Sequence, residues 1–134
     1  MKVCGIEIKG NDAILVCLAG DKDNYQIISP ELKKISLKES SNQNDVRAFS
    51  TAMATFFNTM NFDKIAIKAR ATKGKFAGGA VSFKMEGLIQ NTASEVELIH
   101  GATTKAKLGG ILFDTAVVNK YQVEALKLAI TLLS

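Results

Sequence analysis

The fold is decided by residues 62–90, FDKIAIKARATKGKFAGGAVSFKMEGLIQ, in the middle of the 134-residue chain. Residues 63–68 place Ile65 and Ile67 two positions apart, a spacing that predicts a strand. The charges and glycines of residues 70–79 predict a basic loop, and apolar residues at helical spacing predict a helix over about 77–90. A basic loop between the carboxyl end of a strand and the amino end of a helix is where open α/β sheets bind anions.

The segments before this stretch predict three antiparallel strands. Residues 2–8 and 13–19 are apolar and joined by a turn, which indicates a hairpin. A third strand begins at residues 25–29, and residues 34–37 continue it beyond Pro30. The opening of the chain is therefore interpreted as a three-stranded meander.

Helices and short strands alternate through the rest of the chain. Apolar residues at i, i+3, i+7, i+10, i+11 and i+14 predict an amphipathic helix: Val46, Phe49, Met53, Phe56, Phe57 and Met60. A strand over 95–99, a helical turn over 103–108 and a helix over 119–133 follow. The order β-β-β-α-β-α-β-α predicts an α/β fold: a mixed five-stranded sheet with helices on both faces and the first, fourth and fifth strands parallel neighbours. We expect a single domain over residues 1–134.

Composition limits the kinds of protein this chain can be. Apolar residues make up 47% and charged residues 22%, which excludes a disordered chain. The amino terminus begins directly with a strand, and no run approaches the length of a membrane span, so we expect a cytoplasmic protein with no membrane partner. Cys4 and Cys17 lie in apolar strands without disulfide or metal-site spacing, which predicts two buried free thiols. The net charge of +4 permits a nucleic-acid partner without requiring one.

Motifs at the two ends of the chain each contain an acid. Residues 3–10, VCGIEIKG, include Glu7, and residues 123–133, VEALKLAITLL, include Glu124. The first resembles the opening strand of RuvC-type Holliday-junction resolvases, where a Gly-Ile-acid-x-Gly pattern carries a catalytic aspartate. The second resembles their last helix, whose Asp-Ala-Leu-x-x-Ala-Ile motif supplies another catalytic carboxylate. The resemblance implies a ribonuclease H-like fold.

Further segments extend the resemblance over nearly the whole chain. Residues 63–87 are similar to the fourth strand and following helix of these resolvases, and residues 103–105 to the short helical turn after their fifth strand. The chain also resembles an uncharacterised bacterial family thought to share this fold, in which the run TKGKFAGGAVSFK stands out.

The resemblance implies a two-metal site, from which this chain departs. Nucleases of this fold hold Mg²⁺ or Mn²⁺ with three or four carboxylates. Glu7 and Glu124 fill two of those catalytic and metal-ligand places, whereas Lys68 replaces the acid expected on the fourth strand. We therefore expect a Glu7–Lys68 ion pair where the metals would bind. Two alternatives to this ion pair stay open. Glu7 and Glu124 could hold a single metal ion together with Glu86 or Asp114, or Glu124 could simply face solvent on its helix.

Basic residues near the carboxyl edge of the parallel strands predict phosphate contacts. The expected nucleic-acid-binding residues are Lys9, Arg70, Lys73, Lys75 and Lys105. They predict salt-dependent, weakly sequence-selective binding of structured DNA or RNA, and an ordinary solvated basic face stays open as the alternative. Together with Lys68, they favour a RuvC-like protein that binds structured nucleic acid and has weakened or lost its metal-dependent nuclease activity.

Two other functions remain open from the sequence. The chain could be a structural or protein-interaction domain on the same fold, in which residues 72–79 contact a protein partner or a second subunit of a homodimer. An active hydrolase would instead require Mg²⁺ or Mn²⁺ at Glu7 and Glu124. His100, alone at a strand end, is interpreted as a surface or capping residue rather than a general base.

Overall fold

Strands precede and then alternate with helices in the computed structural model, which describes residues 1–70, 79–93 and 95–133. In chain order the elements are β1 (Lys2–Lys9), β2 (Asp12–Gly20), β3 (Tyr25–Ile28), β4 (Lys34–Ser36), α1 (Gln43–Met60), β5 (Lys64–Lys68), α2 (Ala80–Gln90), β6 (Glu97–Ile99), α3 (Gly101–Leu108) and α4 (Val123–Leu132). Two short 3₁₀ turns, Thr115–Val117 and Lys120–Gln122, precede α4. The helix predicted to begin near residue 77 is described from Ala80 onward.

The described strands form one mixed sheet in the order β3-β2-β1-β5-β6, with β4 also paired to β2. β1 is antiparallel to β2 and parallel to β5, and β5 is parallel to β6. The predicted parallel neighbours are confirmed. Because β1, β5 and β6 run in one direction, their carboxyl ends meet at one edge of the sheet, which we call the carboxyl edge.

The predicted third strand is present as two pieces on the same side of β2. β3 pairs with residues 17–20 of β2, and β4 pairs with residues 12–14. Pro30 has no amide hydrogen to donate to a ladder, and Ser29 takes a left-handed φ of 50°, so the chain leaves the ladder there. The amide of Leu15, in the gap, donates to the carbonyl oxygen of Lys33 at 2.9 Å.

Side chains of β1 alternate between two cores, one on each face of the sheet. Cys4, Ile6 and Ile8 pack with the apolar stripe of α1 and with Met85 and Ile89 of α2. On the other face, Val3 packs with α4. Since both faces are covered, β1 is apolar almost throughout, as expected for a central strand.

Gly5 allows α4 to lie directly on β1. A Cβ atom added at this glycine would lie 2.3 Å from the carbonyl oxygen of Ala125 and 2.7 Å from the amide nitrogen of Ala129. No side chain larger than hydrogen fits between strand and helix at this point. Glu7, two residues along the strand, projects to the same face, so the close approach brings the start of α4 near it.

The two cysteines face each other across β1 and β2. They are buried free thiols with a Sγ–Sγ distance of 3.7 Å, as predicted. Within the described ranges, no helix is long and apolar enough to cross a membrane.

Candidate functional site

Glu7 is a buried carboxylate near the carboxyl end of β1, with only 7% of its surface exposed. Its position follows from the alternation of the strand, which directs residues 3, 5 and 7 towards α4. An ionised carboxylate at such depth requires a partner, because removing a lone charge from water costs several kcal/mol.

Lys68 supplies that partner from the neighbouring parallel strand. The register pairs Ile6 with Ile67, so Lys68 at the end of β5 lies beside Glu7. Its Nζ lies 3.7 Å from Glu7 Oε2, which confirms the predicted ion pair. The same Nζ donates a 3.0 Å hydrogen bond to Glu124 Oε1 on α4. One ammonium group therefore lies between the two predicted acids.

Glu124 lies in the first turn of α4, where a negative charge also favours the helix dipole. A second ammonium, Lys127 Nζ, lies 3.1 Å from its Oε2. Burial pushes the pKa of the Glu124 carboxyl upward, but hydrogen bonds from Lys68 and Lys127 and their charges outweigh burial and hold the pKa below its ordinary value. Glu124 is thus paired with two ammonium groups, while 42% of its side chain stays exposed to solvent.

Sequence reasoning did not single out Lys127. The signal was present, because an acid and a lysine at i and i+3 on a helix are neighbours. What the pattern could not show is that this pair would lie over the carboxyl edge of the sheet, beside Lys68.

A divalent cation does not fit this arrangement. Mg²⁺ and Mn²⁺ require several oxygen ligands and are repelled by an ammonium group at the centre of the site. The part of the chain that the structure describes contains no group of three His, Cys, Asp or Glu side chains that could hold a metal. Glu86 lies on α2, across the sheet from α4, and Asp114 Oδ1 instead accepts a 2.8 Å hydrogen bond from the amide of Ala116. Neither residue joins Glu7 and Glu124 in a cluster.

A cleft of about 390 Å³ opens beside the ion-paired cluster. Its lining combines ammonium groups, one carboxylate and an apolar wall: Lys68, Gly101, Thr104, Lys105, Leu108, Gly109, Phe113, Glu124, Lys127 and Leu128. Lys105, predicted to contact phosphate, therefore lies at the same site as Lys68.

Two of the other predicted basic residues, Lys9 and Arg70, lie at the ends of central strands. Lys9 is exposed at the end of β1. Arg70 follows β5, and its Nη1 donates a 2.8 Å hydrogen bond to the carbonyl oxygen of Ile8, which fixes the guanidinium at the carboxyl edge. Lys73 and Lys75 lie outside the described residues. His100 is exposed at the amino-terminal cap of α3, where its carbonyl oxygen accepts the amides of Thr103 and Thr104.

Comparisons with known proteins agree with this fold. A family model described as "Protein of unknown function (DUF3010)" matches residues 1–132. No curated protein matches the sequence significantly. Among solved structures, the chain is similar to Thermus thermophilus RuvC, with a TM-score of 0.75 and 13% identity over 98% of this chain and 92% of that one. It is also similar to T. thermophilus RuvC in complex with a Holliday junction substrate, with a TM-score of 0.71 and 15% identity over 98% and 91% of the two chains. These likenesses show a RuvC-like, ribonuclease H-like fold.

Proposed function

We propose a function for this chain, which belongs to the family described as "Protein of unknown function (DUF3010)". The protein binds structured nucleic acid and has weakened or lost a metal-dependent nuclease activity. The observation that carries this proposal is Lys68 Nζ, 3.7 Å from Glu7 and 3.0 Å from Glu124. The two acids that a nuclease of this fold would use for metal ions are here used to hold an ammonium group.

Charge at the carboxyl edge supports an anionic ligand. Three carboxylates, from Glu7, Glu124 and Asp12, the cross-strand neighbour of Lys9, lie at this edge among an excess of positive side chains. The positive residues are Lys9, Lys68, Arg70, Lys105 and Lys127. Basic side chains that contact phosphate oxygens bind nucleic acid through charge and carry little sequence information. The ligand we propose is therefore recognised by its shape and its backbone.

A branched DNA is the first ligand to test. One of the similar structures is that of T. thermophilus RuvC with a Holliday junction substrate. That ligand belongs to that protein, and at 15% identity the likeness alone does not extend the ligand to this chain. It does indicate which shape of nucleic acid should be compared first with a plain duplex.

Binding should be measured by fluorescence anisotropy with a four-way junction and a duplex, in EDTA and at increasing salt. If about three phosphates are neutralised, the logarithm of the association constant should fall with the logarithm of salt concentration with a slope of about −3. Lys105→Gln should weaken binding. Lys22→Gln, in the turn between β2 and β3 at the opposite edge, removes the same charge and should not. Absence of binding to either DNA at low salt would refute the proposal.

The loss of nuclease activity has its own test. The natural protein should show no saturable Mn²⁺ site, because Lys68 lies between the carboxylates. The proposal would be refuted, and an active hydrolase supported, by a titration that reveals saturable Mn²⁺ binding together with Mn²⁺-dependent cleavage of the four-way junction.

A protein-interaction domain is the second candidate function, and one exposed segment favours it. Leu112 has 97% of its surface exposed, and Ile111 beside it has 36%. Adjacent apolar side chains that form a continuous exposed patch often mark contacts with other proteins. Under this function, Leu112→Ser would abolish co-purification with a protein partner, and the natural protein would be indifferent to nucleic acid.

A further inference from the structure

The cleft beside the ion-paired cluster has an apolar wall as well as a charged rim. Phe113, between the helices, forms the accessible part of the wall, and the buried side chains of Leu108 on α3 and Leu128 on α4 lie behind it. Contacts with a duplex backbone are made by charged and hydrogen-bonding groups, so a recessed apolar wall contributes nothing to them. Concave sites with apolar linings and a few polar groups instead take up small organic groups.

The size of the cleft matches a single small group rather than a strand. Its volume of about 390 Å³ lies within the range of about 300–1,000 Å³ typical of small-ligand pockets. Three ammonium groups border it, from Lys68, Lys105 and Lys127. The one carboxylate in the lining, Glu124, already accepts hydrogen bonds or ion pairs from two of them. The remaining positive charge suits one anionic group at the rim.

Lys105 has a distinct place among the three lysines. In the described part of the chain, Lys68 and Lys127 are both paired with Glu124, whereas Lys105 takes part in no ion pair. A ligand phosphate near Lys105 would gain a partner without breaking an existing pair. Lys107, two residues away on α3, does not line the cleft.

We infer that this cleft takes up one unpaired nucleotide of the bound nucleic acid, with its phosphate against Lys105 and its base against Phe113. The inference rests on the proposed function and adds the part of the ligand that the protein recognises. A base within a duplex has both its faces stacked and cannot enter, whereas an unpaired base leaves the stack at little cost. The protein therefore distinguishes nucleic acid with an unpaired nucleotide from a uniform duplex.

The experiment compares two DNA ligands in EDTA at one fixed salt concentration. One is a duplex, and the other is the same duplex with a single unpaired 2-aminopurine. Stacking of a base on an aromatic side chain contributes about fivefold or more to affinity. We expect the bulged duplex to bind at least about fivefold more tightly, and the 2-aminopurine emission to change on binding because the base moves to a new environment.

Two lysine variants form a matched pair for this test. Lys105→Gln and Lys107→Gln remove the same charge from the same helix, but only Lys105 lines the cleft. The preference for the bulged duplex should fall with Lys105→Gln and persist with Lys107→Gln. An equal preference in the two variants would overturn the inference.

Phe113 provides an independent check. Phe113→Leu keeps an apolar side chain but removes the aromatic face, and it should abolish most of the preference and of the emission change. Because Phe113 also packs against the core under α4, thermal unfolding should be measured first. Should this variant not fold, the natural protein still decides the question: adenosine 5′-monophosphate should shift the methyl resonances of Leu108 and Leu128, and unmoved resonances at millimolar ligand would overturn the inference.

The outcomes separate this inference from the proposed function. Equal binding of both ligands by the natural protein would refute uptake of an unpaired nucleotide and leave nucleic-acid binding intact. Absence of binding to either ligand at low salt would refute both.

Discussion

Lys68→Glu should convert the ion-paired cluster into a metal site. The substitution places a third carboxylate beside Glu7 and Glu124, where the ammonium group now lies 3.7 Å and 3.0 Å from them. Three carboxylates meeting at one point provide the oxygen ligands that Mg²⁺ and Mn²⁺ prefer. The natural sequence, in contrast, should bind neither ion.

The free energy involved can be worked from the exposure of the two acids. Glu7 has a side chain only 9% exposed but Lys68 is 30% exposed, so removing the lysine should cost at most about 3–5 kcal/mol, the loss for fully buried pairs. Glu124 is 42% exposed, so solvent screens its pair, which should contribute at most about 1 kcal/mol. In Lys68→Glu without metal, repulsion among the three carboxylates lowers the free energy of unfolding further and raises the pKa of at least one of them.

Metal binding should restore much of this loss. At a free Mn²⁺ concentration of about 100 times the dissociation constant, binding stabilises the folded state by about 2.7 kcal/mol. For a chain of this length, that corresponds to a rise of about 10 °C in melting temperature. Thermal unfolding at pH 7 with EDTA or with Mn²⁺ measures the difference.

Lys68→Gln is the matched control, because glutamine has the size of glutamate without its charge. It should lose stability through the unpaired Glu7 but show no response to metal. If the melting temperature of Lys68→Glu ignores Mg²⁺ and Mn²⁺ as that of Lys68→Gln does, the three side chains do not converge, and the account of the site is wrong.

Further predictions concern packing, hydrogen bonding, titration and reactivity. Gly5→Ala should lower the free energy of unfolding by about 3 kcal/mol or more in a urea titration, because its Cβ would lie 2.3 Å from a carbonyl oxygen of α4; Gly87→Ala, with open space around its Cβ, should not, and equal losses would contradict this packing. Gln122→Leu should cost about 1–3 kcal/mol in the same assay, since Gln122 Nε2 donates a 3.0 Å hydrogen bond to the buried carbonyl of Leu15, and an unchanged urea midpoint would argue against that bond. Because the pKa of Glu124 is lowered in the folded state, its pairing stabilises the protein above about pH 4.3, the ordinary pKa of glutamate, and this contribution is lost as the pH falls through the lowered value; the stability deficit of Glu124→Gln should shrink between pH 7 and pH 3, and a constant deficit would contradict the pairing. Both cysteines are buried, and burial raises the pKa of the Cys4 thiol, so a thiol reagent should modify neither until the protein unfolds; rapid reaction of the native protein would contradict their burial.

The Glu7–Lys68 contact could be predicted because the resemblance assigns both residues to metal-ligand places of the RuvC-type site, and two rules of sheet geometry agree with that assignment. Right-handed crossovers make the first strand and the strand predicted over residues 63–68 parallel neighbours, and parallel strands end at the same edge. Once Glu7 and Lys68 were placed near those ends, an ion pair between them was the expected outcome. The structure shows in addition that Lys68 donates a hydrogen bond to Glu124. This contact depends on the position of α4 along β1, which the sequence does not specify.

Features set by tertiary packing were less accessible. Pro30 indicates where the third strand breaks, but the sequence does not show that both pieces pair with β2 or that Gln122, 107 residues along the chain, bonds to the carbonyl of Leu15 in the gap between them. Glu86 stays a candidate ligand at the level of the sequence, because the pattern of α2 does not show that this helix covers the face of the sheet opposite α4. The cleft wall could not be anticipated either, since Phe113 lies in a segment with no periodic pattern.

The split of the third strand bears on how the protein behaves at high concentration. The described sheet ends on one side with the short strands β3 and β4 and on the other with the three residues of β6, whereas its interior strands are longer. An exposed edge recruits another chain only when it offers a long, flat row of unpaired backbone groups. Here each edge strand has no more than about four residues with which a second copy could pair. Two of these edge strands also carry a charged residue, Lys34 in β4 and Glu97 in β6. The sheet is therefore poorly suited to growing by strand addition, and self-association through its edges should be resisted even in concentrated solutions.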